Sequence, residues 1–270
     1  MQGHYHNCCQ TFKESLLILL FECLGTCFLT ALFTSVYATG DLAALVCGFF
    51  ILLIFSARIS GSHFNPAITL AFMFRRDTGR FSRMLGLLYI LAQYLGALLG
   101  ALITYNLFEA SPILPPLSIY HSCDLQTLDC HYLIAQAIFV EMLGAMLLTF
   151  LYLTQTEEKT KMSADPAITT LIIAATYVAV VGYGETIGVM SGSPYNPAAA
   201  MGLLWSIIFK GDLGSTDGIY VFLFFSYLGA VIAIILFEFI YKRAMTVVEH
   251  NGEDEEEIAD HDALISPVGH

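Results

Sequence analysis

Two copies of one short phrase constrain this chain more than any other feature. SGSHFNPA runs from Ser60 to Ala67 and SGSPYNPA from Ser191 to Ala198. Six of the eight positions are identical, and Phe64 is exchanged only for another aromatic residue, Tyr195. The two asparagines, at 65 and 196, lie 131 residues apart. Asn is a strong helix N-cap, and Pro is tolerated at the first helical position because its missing N–H has no partner there anyway. Each phrase therefore marks the start of a helix. The apolar runs that follow, Pro66–Phe74 and Pro197–Phe209, are shorter than the roughly 20 residues a helix needs to cross a bilayer.

Six longer apolar segments surround these two: Ser15–Ala38, Leu42–Ala57, Met84–Phe108, Tyr132–Thr154, Ala167–Gly184 and Gly218–Tyr241. The second is short between charges and is expected to extend past Asp41. Apolar residues make up 57% of the chain and charged ones 13%, about half the charged share of a soluble globular protein. That leaves too few polar side chains to cover a water-facing surface. The composition points to an all-α membrane protein with six transmembrane helices. It also argues against nucleic acid as a partner, since only eleven Lys and Arg are present and phosphate binding needs them clustered on one face.

Basic residues orient the spans. With a cytoplasmic N-terminus, Lys13, Arg58, Arg75, Arg76, Arg80, Arg83, Lys159, Lys161, Lys242 and Arg243 all fall inside and only Lys210 outside. Lys and Arg resist translocation, so this bias favours cytoplasmic termini. The two short runs then enter from opposite faces. Further matches extend the repeat. FECLGTCFLTALF (Phe21–Phe33) resembles VEMLGAMLLTFLY (Val140–Tyr152), aligning Glu22 with Glu141, and QYLGALLGA (Gln93–Ala101) resembles SYLGAVIA (Ser226–Ala233). A duplicated unit with an odd number of spans is necessarily inverted. The expected organisation is a cytoplasmic N-terminus over 1–14, a channel-like domain over 15–241 with repeats at about 15–108 and 132–241, and a cytoplasmic tail over 242–270.

Two half-helices entering from opposite sides meet tip to tip. Each N-terminus carries roughly half a positive charge, so their meeting point repels cations, hydronium included. The side-chain amides of Asn65 and Asn196 offer N–H donors at the same place. A water oxygen that accepts from both cannot keep its own hydrogens in line with a proton-hopping chain. This chemistry suits a pore for neutral molecules that blocks protons.

On both Asn-Pro-Ala boxes (Asn65, Pro66, Ala67 and Asn196, Pro197, Ala198), the paired Glu22 and Glu141, ISGSHFNPAITL (Ile59–Leu70), and Gln93 with Gly96, the chain resembles the aquaporin family of major intrinsic proteins. The resemblance covers about residues 15–241. It implies six tilted helices with two re-entrant half-helices, a pore through each subunit and a homotetramer. It places His63 on the cytoplasmic half of the pore. Glu22 and Glu141 read as structural acids that hold the re-entrant loops by hydrogen bonds, with Gln93 beside them. The implied activity is passive passage of water, with glycerol, urea, ammonia or hydrogen peroxide as the alternative, and no enzyme chemistry. A non-conducting adhesion protein on the same fold is a remoter alternative, which only flux distinguishes.

The chain departs from the family at the outer constriction. Many members read Asn-Pro-Ala-Arg at the second box, whereas Ala199 stands here. Ser193 maps to the loop position before the box. The span-two position is Cys47, or Leu45, depending on a short gap; the span-five position is Tyr183, or Gly184. If small residues occupy most of these places, the filter is wider and carries no fixed positive charge. Against a dedicated glycerol facilitator, Ala199, Ala200 and Met201 follow the box and no Asp does.

Of the seven cysteines, Cys23, Cys27 and Cys47 fall in apolar runs and read as small hydrophobes. Cys8 and Cys9 precede the first span, where acylation is conceivable. Cys123 and Cys130 share one polar connection and can pair if it faces an oxidising compartment. No Cys/His spacing suits a metal, and no cofactor is expected. The tail collects eight acids in its last 22 residues, most of the net charge of −12, and is expected to be disordered. Within it DHDALI (Asp260–Ile265) resembles an acidic dileucine sorting signal, so the expected location is the plasma membrane or an endosomal or vacuolar membrane.

Overall fold

The computed structural model describes residues 2–37, 40–76, 81–107, 128–187, 193–211 and 218–248. Cys123, Ser191, Gly192 and the acidic tail with its DHDALI sequence lie outside the described residues, as do the side chains of Cys8, Cys9 and Cys130. Among the described residues every regular element is helical. The helices are α1 (Gln2–Tyr37), α2 (Leu42–Ser56), α3 (Pro66–Phe74), α4 (Arg83–Leu107), α5 (Leu128–Thr156), α6 (Pro166–Ile187), α7 (Pro197–Lys210) and α8 (Ser226–Leu236), the last flanked by π-helical turns at Val221–Phe225 and Phe237–Tyr241. Among the described residues five stretches are long and apolar enough to cross a membrane: Glu14–Val36, Arg83–Leu107, His131–Thr156, Pro166–Glu185 and Val221–Val248. Large apolar side chains such as Leu17, Leu91, Phe139 and Phe224 are exposed along them, as is Ile51 on α2. That is the surface of an integral membrane protein, solvated by lipid tails.

Span two is shorter than expected. Asp41 does not continue it but caps it, accepting from the Ala44 N–H at 3.0 Å. At its other end the helix runs into a tight turn in which Ile59 and Ser60 donate to the Ser56 carbonyl at 2.8 and 3.0 Å. The fifteen residues of α2 span about 22 Å at 1.5 Å per residue, and the turn carries the chain on into the re-entrant segment.

The duplication is visible in the packing. In each repeat the first span lies along the third, α1 on α4 and α5 on α8. Glycines make both contacts close: a Cβ on Gly96 or Gly100 would strike the carbonyls of Cys23 and Cys27, and one on Gly229 would strike the Met142 carbonyl. Small residues that let backbones approach are the usual means of helix association in lipid. The half-helices cross over, α7 packing on α4 of the first repeat and α3 on α8 of the second. Between the repeats, Tyr94 and Tyr227 join their hydroxyls at 2.9 Å. They occupy equivalent places in QYLGALLGA and SYLGAVIA, and equivalent residues touch each other only beside the pseudo-two-fold axis that relates the copies.

The glycine contact gives a stability prediction. Gly96→Ala should destabilise the protein by about 1–3 kcal/mol, the usual cost of overpacking. Gly182→Ala, whose Cβ would meet only Leu42 at 3.4 Å, should be neutral or stabilising. Thermal unfolding in detergent reads both, and equal melting temperatures would contradict the close α1–α4 approach.

A charged cluster ties the far end of α3 to the rest. Arg75 pairs with Glu157 at the end of α5, and Lys242 lies 3.5 Å from Glu157 and 3.1 Å from Glu238. The guanidiniums of Arg75 and Arg76 sit over the rings of Phe72 and Phe239, at 5.0 and 4.4 Å.

Candidate functional site

The site is built where the two repeated phrases meet. Asn65 and Asn196 have extended backbones (φ −146° and −150°), and each is followed by a Pro in the first turn of its helix. The Asn65 carboxamide oxygen accepts from the Ala67 N–H at 2.9 Å, and that of Asn196 from Ala198 and Ala199 at 3.1 and 3.4 Å. These are ordinary N-caps. The amide nitrogens reach across: Asn65 Nδ2 donates to the Tyr195 carbonyl at 2.9 Å, and Asn196 Nδ2 to the Phe64 carbonyl at 2.8 Å. The tips of α3 and α7 are thus bound to each other through reciprocal bonds, with both asparagines buried. Each NH₂ group has a second hydrogen beyond the one used in the crossing.

The segments leading into the tips turn sharply. Ser62, Phe64 and Tyr195 adopt positive φ (56°, 49° and 47°), a left-handed conformation that is uncommon for residues with a side chain. It is held by burial and hydrogen bonds. Phe64 packs where Gly25 leaves room, and Tyr195 packs in the equivalent place at Gly144. Glu22 collects the first segment. One carboxylate oxygen accepts from the Ser60 hydroxyl (2.6 Å) and the His63 N–H (3.0 Å), the other from the Phe64 N–H (2.8 Å) and Gln93 Nε2 (2.8 Å). Gln93 Nε2 also reaches Thr69 Oγ1 at 2.8 Å. Glu141 receives the hydroxyls of Ser193 and Ser226. Both acids are fully buried, and such hydrogen bonding is what a buried carboxylate requires.

Ser226 was not singled out by the sequence reading, although it aligns with Gln93 in the repeat and binds the acid of its own half as Gln93 does. Ser60, Tyr89 and Tyr152 were also missed. Tyr89 donates to the Ser60 carbonyl at 2.8 Å, and Tyr152 donates to the carbonyls of Gly61 and Ser62.

His63 is buried beside the first tip. Its Nδ1 lies 3.2 Å from Thr69 Oγ1. Rings surround it: Phe72 at 4.3 Å, Phe81 and Tyr89 each at 5.4 Å and Tyr152 at 6.0 Å.

The positions assigned to an outer constriction divide by face. Ala199 is fully buried at the start of α7, and Ser193 is buried against Glu141. Cys47 does not join them. It is exposed on the side of α2 that carries Ile51, Ile54 and Phe55, whereas Leu45 lies with Phe49 and Leu53 on the buried side. Tyr183 is also turned outward, in line with the exposed Leu171, Ala175 and Ala179, and it lines a surface groove with Gln136 and Phe139 of α5. Its neighbour Gly184 is buried, on the side of Tyr177 and Val180. Of each pair left open by the sequence, Leu45 and Gly184 are the buried members. Among the described residues no group of His, Cys, Asp and Glu is arranged to hold a metal ion.

Comparison with known proteins agrees with this architecture. The family model for major intrinsic proteins matches residues 3–237. The chain is 27% identical over 197 residues to a probable aquaporin, PIP2-8, of Oryza sativa subsp. japonica, covering 72% of this chain and 66% of that protein. It is 29% identical over 156 residues to the probable aquaporin PIP2-7 of the same plant, covering 57% of this chain and 49% of that protein. It therefore spans about two thirds and about half of the lengths of these relatives. A glycerol uptake facilitator-like protein of Lactiplantibacillus plantarum is 28% identical over 220 residues, covering 79% of this chain and 93% of that protein. Among solved structures, the aquaglyceroporin from Plasmodium falciparum superposes with a TM-score of 0.69 at 21% identity, covering 86% of this chain and 99% of that one.

Proposed function

Since the chain belongs to the major intrinsic protein family, a family of membrane channels, we propose that it is a passive, proton-excluding pore for water whose outer end also admits small neutral solutes. The observation that carries the reading is the reciprocal Asn65–Tyr195 and Asn196–Phe64 bonding. It sets two helix N-termini against each other with both asparagine amides at the junction. A molecule passing there meets N–H donors and a positive potential, which favours a neutral acceptor such as water and disfavours cations. Movement follows the osmotic or concentration gradient, and no residue needs to change its covalent state.

The wider solute range follows from the outer positions. With Leu45, Gly184, Ser193 and Ala199 in those places, the constriction carries no cation, and three of its four residues are small. Glycerol and urea then fit the same role as water. The basic-residue bias puts the termini in the cytoplasm, with Ala199 on the outer side and His63 on the inner, and the expected assembly is a homotetramer in a plasma, endosomal or vacuolar membrane.

Osmotic shock of proteoliposomes tests the proposal. Light scattering should show fast shrinkage in sucrose, followed by re-swelling when glycerol or urea is the osmolyte. Permeability no higher than that of empty vesicles for all three would remove the channel reading. Shrinkage without re-swelling would restrict it to water. In the same assay Ala199→Arg, which adds bulk and charge, should reduce glycerol flux about tenfold more than water flux, a discrimination of the size one misfitting group achieves in a pocket. Equal reductions would place residue 199 outside the constriction.

A further inference from the structure

The re-entrant segment between α2 and α3 is non-helical backbone, and its carbonyls must find donors in protein or in water. From Ser60 to Asn65, five of the six are taken by the protein. Ser60 accepts from Tyr89, Gly61 and Ser62 from the one hydroxyl of Tyr152, Phe64 from Asn196, and Asn65 from the Thr69 N–H. Carbonyls of this kind are the acceptors that a water in single file needs in exchange for its lost neighbours. Tyr152 holds two in succession, immediately before His63. Its ring also fills space, edge-on to His63 at 6.0 Å and to Phe72 at 5.8 Å, and the residue is 1% exposed.

In the first repeat the matching position carries no hydroxyl. Tyr152 aligns with Phe33, which ends the matching stretch of the first half and is equally buried. An aromatic ring is therefore the shared packing element, and the oxygen is an addition confined to one copy.

We propose that Tyr152 limits permeation: its hydroxyl occupies the Gly61 and Ser62 carbonyls, so that the His63 side of the pathway conducts freely only when Tyr152 releases them. The inference rests on the channel reading, and it makes Tyr152 a determinant of rate in that pathway. Its partners belong to the opposite repeat, so release at α5 would open a passage beside α3.

The test compares wild type, Tyr152→Phe and Tyr152→Ala as full-length protein in vesicles at matched protein content, with thermal unfolding as a control for folding. Tyr152→Phe keeps the ring that Phe33 shows to be acceptable. It should raise water permeability per subunit about three- to tenfold, the worth of one hydrogen bond, and Tyr152→Ala at least as much. In a separate arm Tyr152→Cys should become sensitive to a small thiol-directed mercurial beyond the wild type, which carries the same seven native cysteines. A purely structural tyrosine would give neither result. A folded Tyr152→Phe with flux at or below a conducting wild type, or a Tyr152→Cys no more sensitive than wild type, overturns the inference and leaves the channel intact. Folded wild type and variants that all match empty vesicles overturn both. A silent wild type with a conducting Tyr152→Phe supports both.

Discussion

Glu22→Ala should fail to yield folded protein. The carboxylate accepts four hydrogen bonds, from Ser60, the His63 and Phe64 N–H groups and Gln93, at a site with no exposed surface. Removing it strands all four donors. Each buried, unpaired donor costs about 1–3 kcal/mol, so four amount to several kcal/mol, a large part of the roughly 5–15 kcal/mol net stability of a typical domain. Two of the donors lie in the segment that places Asn65, so the defect falls on the tip itself. Glu22→Gln should be intermediate, since its one oxygen satisfies part of the set and its NH₂ faces the remainder. Size-exclusion chromatography and thermal unfolding in detergent measure the series. A Glu22→Ala protein that melts within a degree or so of wild type would mean that the segment holds its shape without the acid.

Asn196→Asp should turn the protein leaky to cations. The tips of α3 and α7 together bring about one positive charge to their junction, half from each helix end. One carboxylate there cancels it, and the double substitution Asn65→Asp with Asn196→Asp reverses its sign. The barrier to protons and small cations should fall accordingly. The expected readout is dissipation of a pH gradient in vesicles loaded with a pH-sensitive dye, at least about tenfold faster than wild type, the change that 1.4 kcal/mol of barrier produces. The aspartate oxygens can still cap α7, as Asp does at other helix starts, but cannot donate to the Phe64 carbonyl, so thermal unfolding in detergent accompanies the flux measurement. Unchanged proton flux in a folded, water-conducting variant would show that exclusion does not depend on the field at this junction.

The repeated phrase made the tips legible because it carries its own local physics: an N-cap, a Pro in the first turn and a helix too short to cross. The paired acids were legible because each lies in a matched stretch of the duplication. The facing of Cys47 and Tyr183 was not. In lipid both sides of a span are apolar, so hydrophobicity does not mark the inward face as it does on a helix in water. Only the folded chain shows Cys47 and Tyr183 turned outward and their alternatives Leu45 and Gly184 buried. Asp41 shows the opposite difficulty: a charge inside an apolar stretch read as a tolerated interruption, whereas its side chain ends the helix by capping it. Tyr152 was hidden for a third reason, since its acceptors lie about ninety residues away and nothing near it in sequence signals a donor.

The crossed amide bonds also bear on how such a chain is made. A ribosome delivers the first half well before the second. Until Phe64 receives its donor from Asn196 and Asn65 finds the Tyr195 carbonyl, the newborn α3 carries polar groups that lack their lasting partners. Neither half is complete in isolation, and biosynthesis must hold the first in waiting. Expressed as two separate fragments, the halves should recover their structure only when made in the same cell.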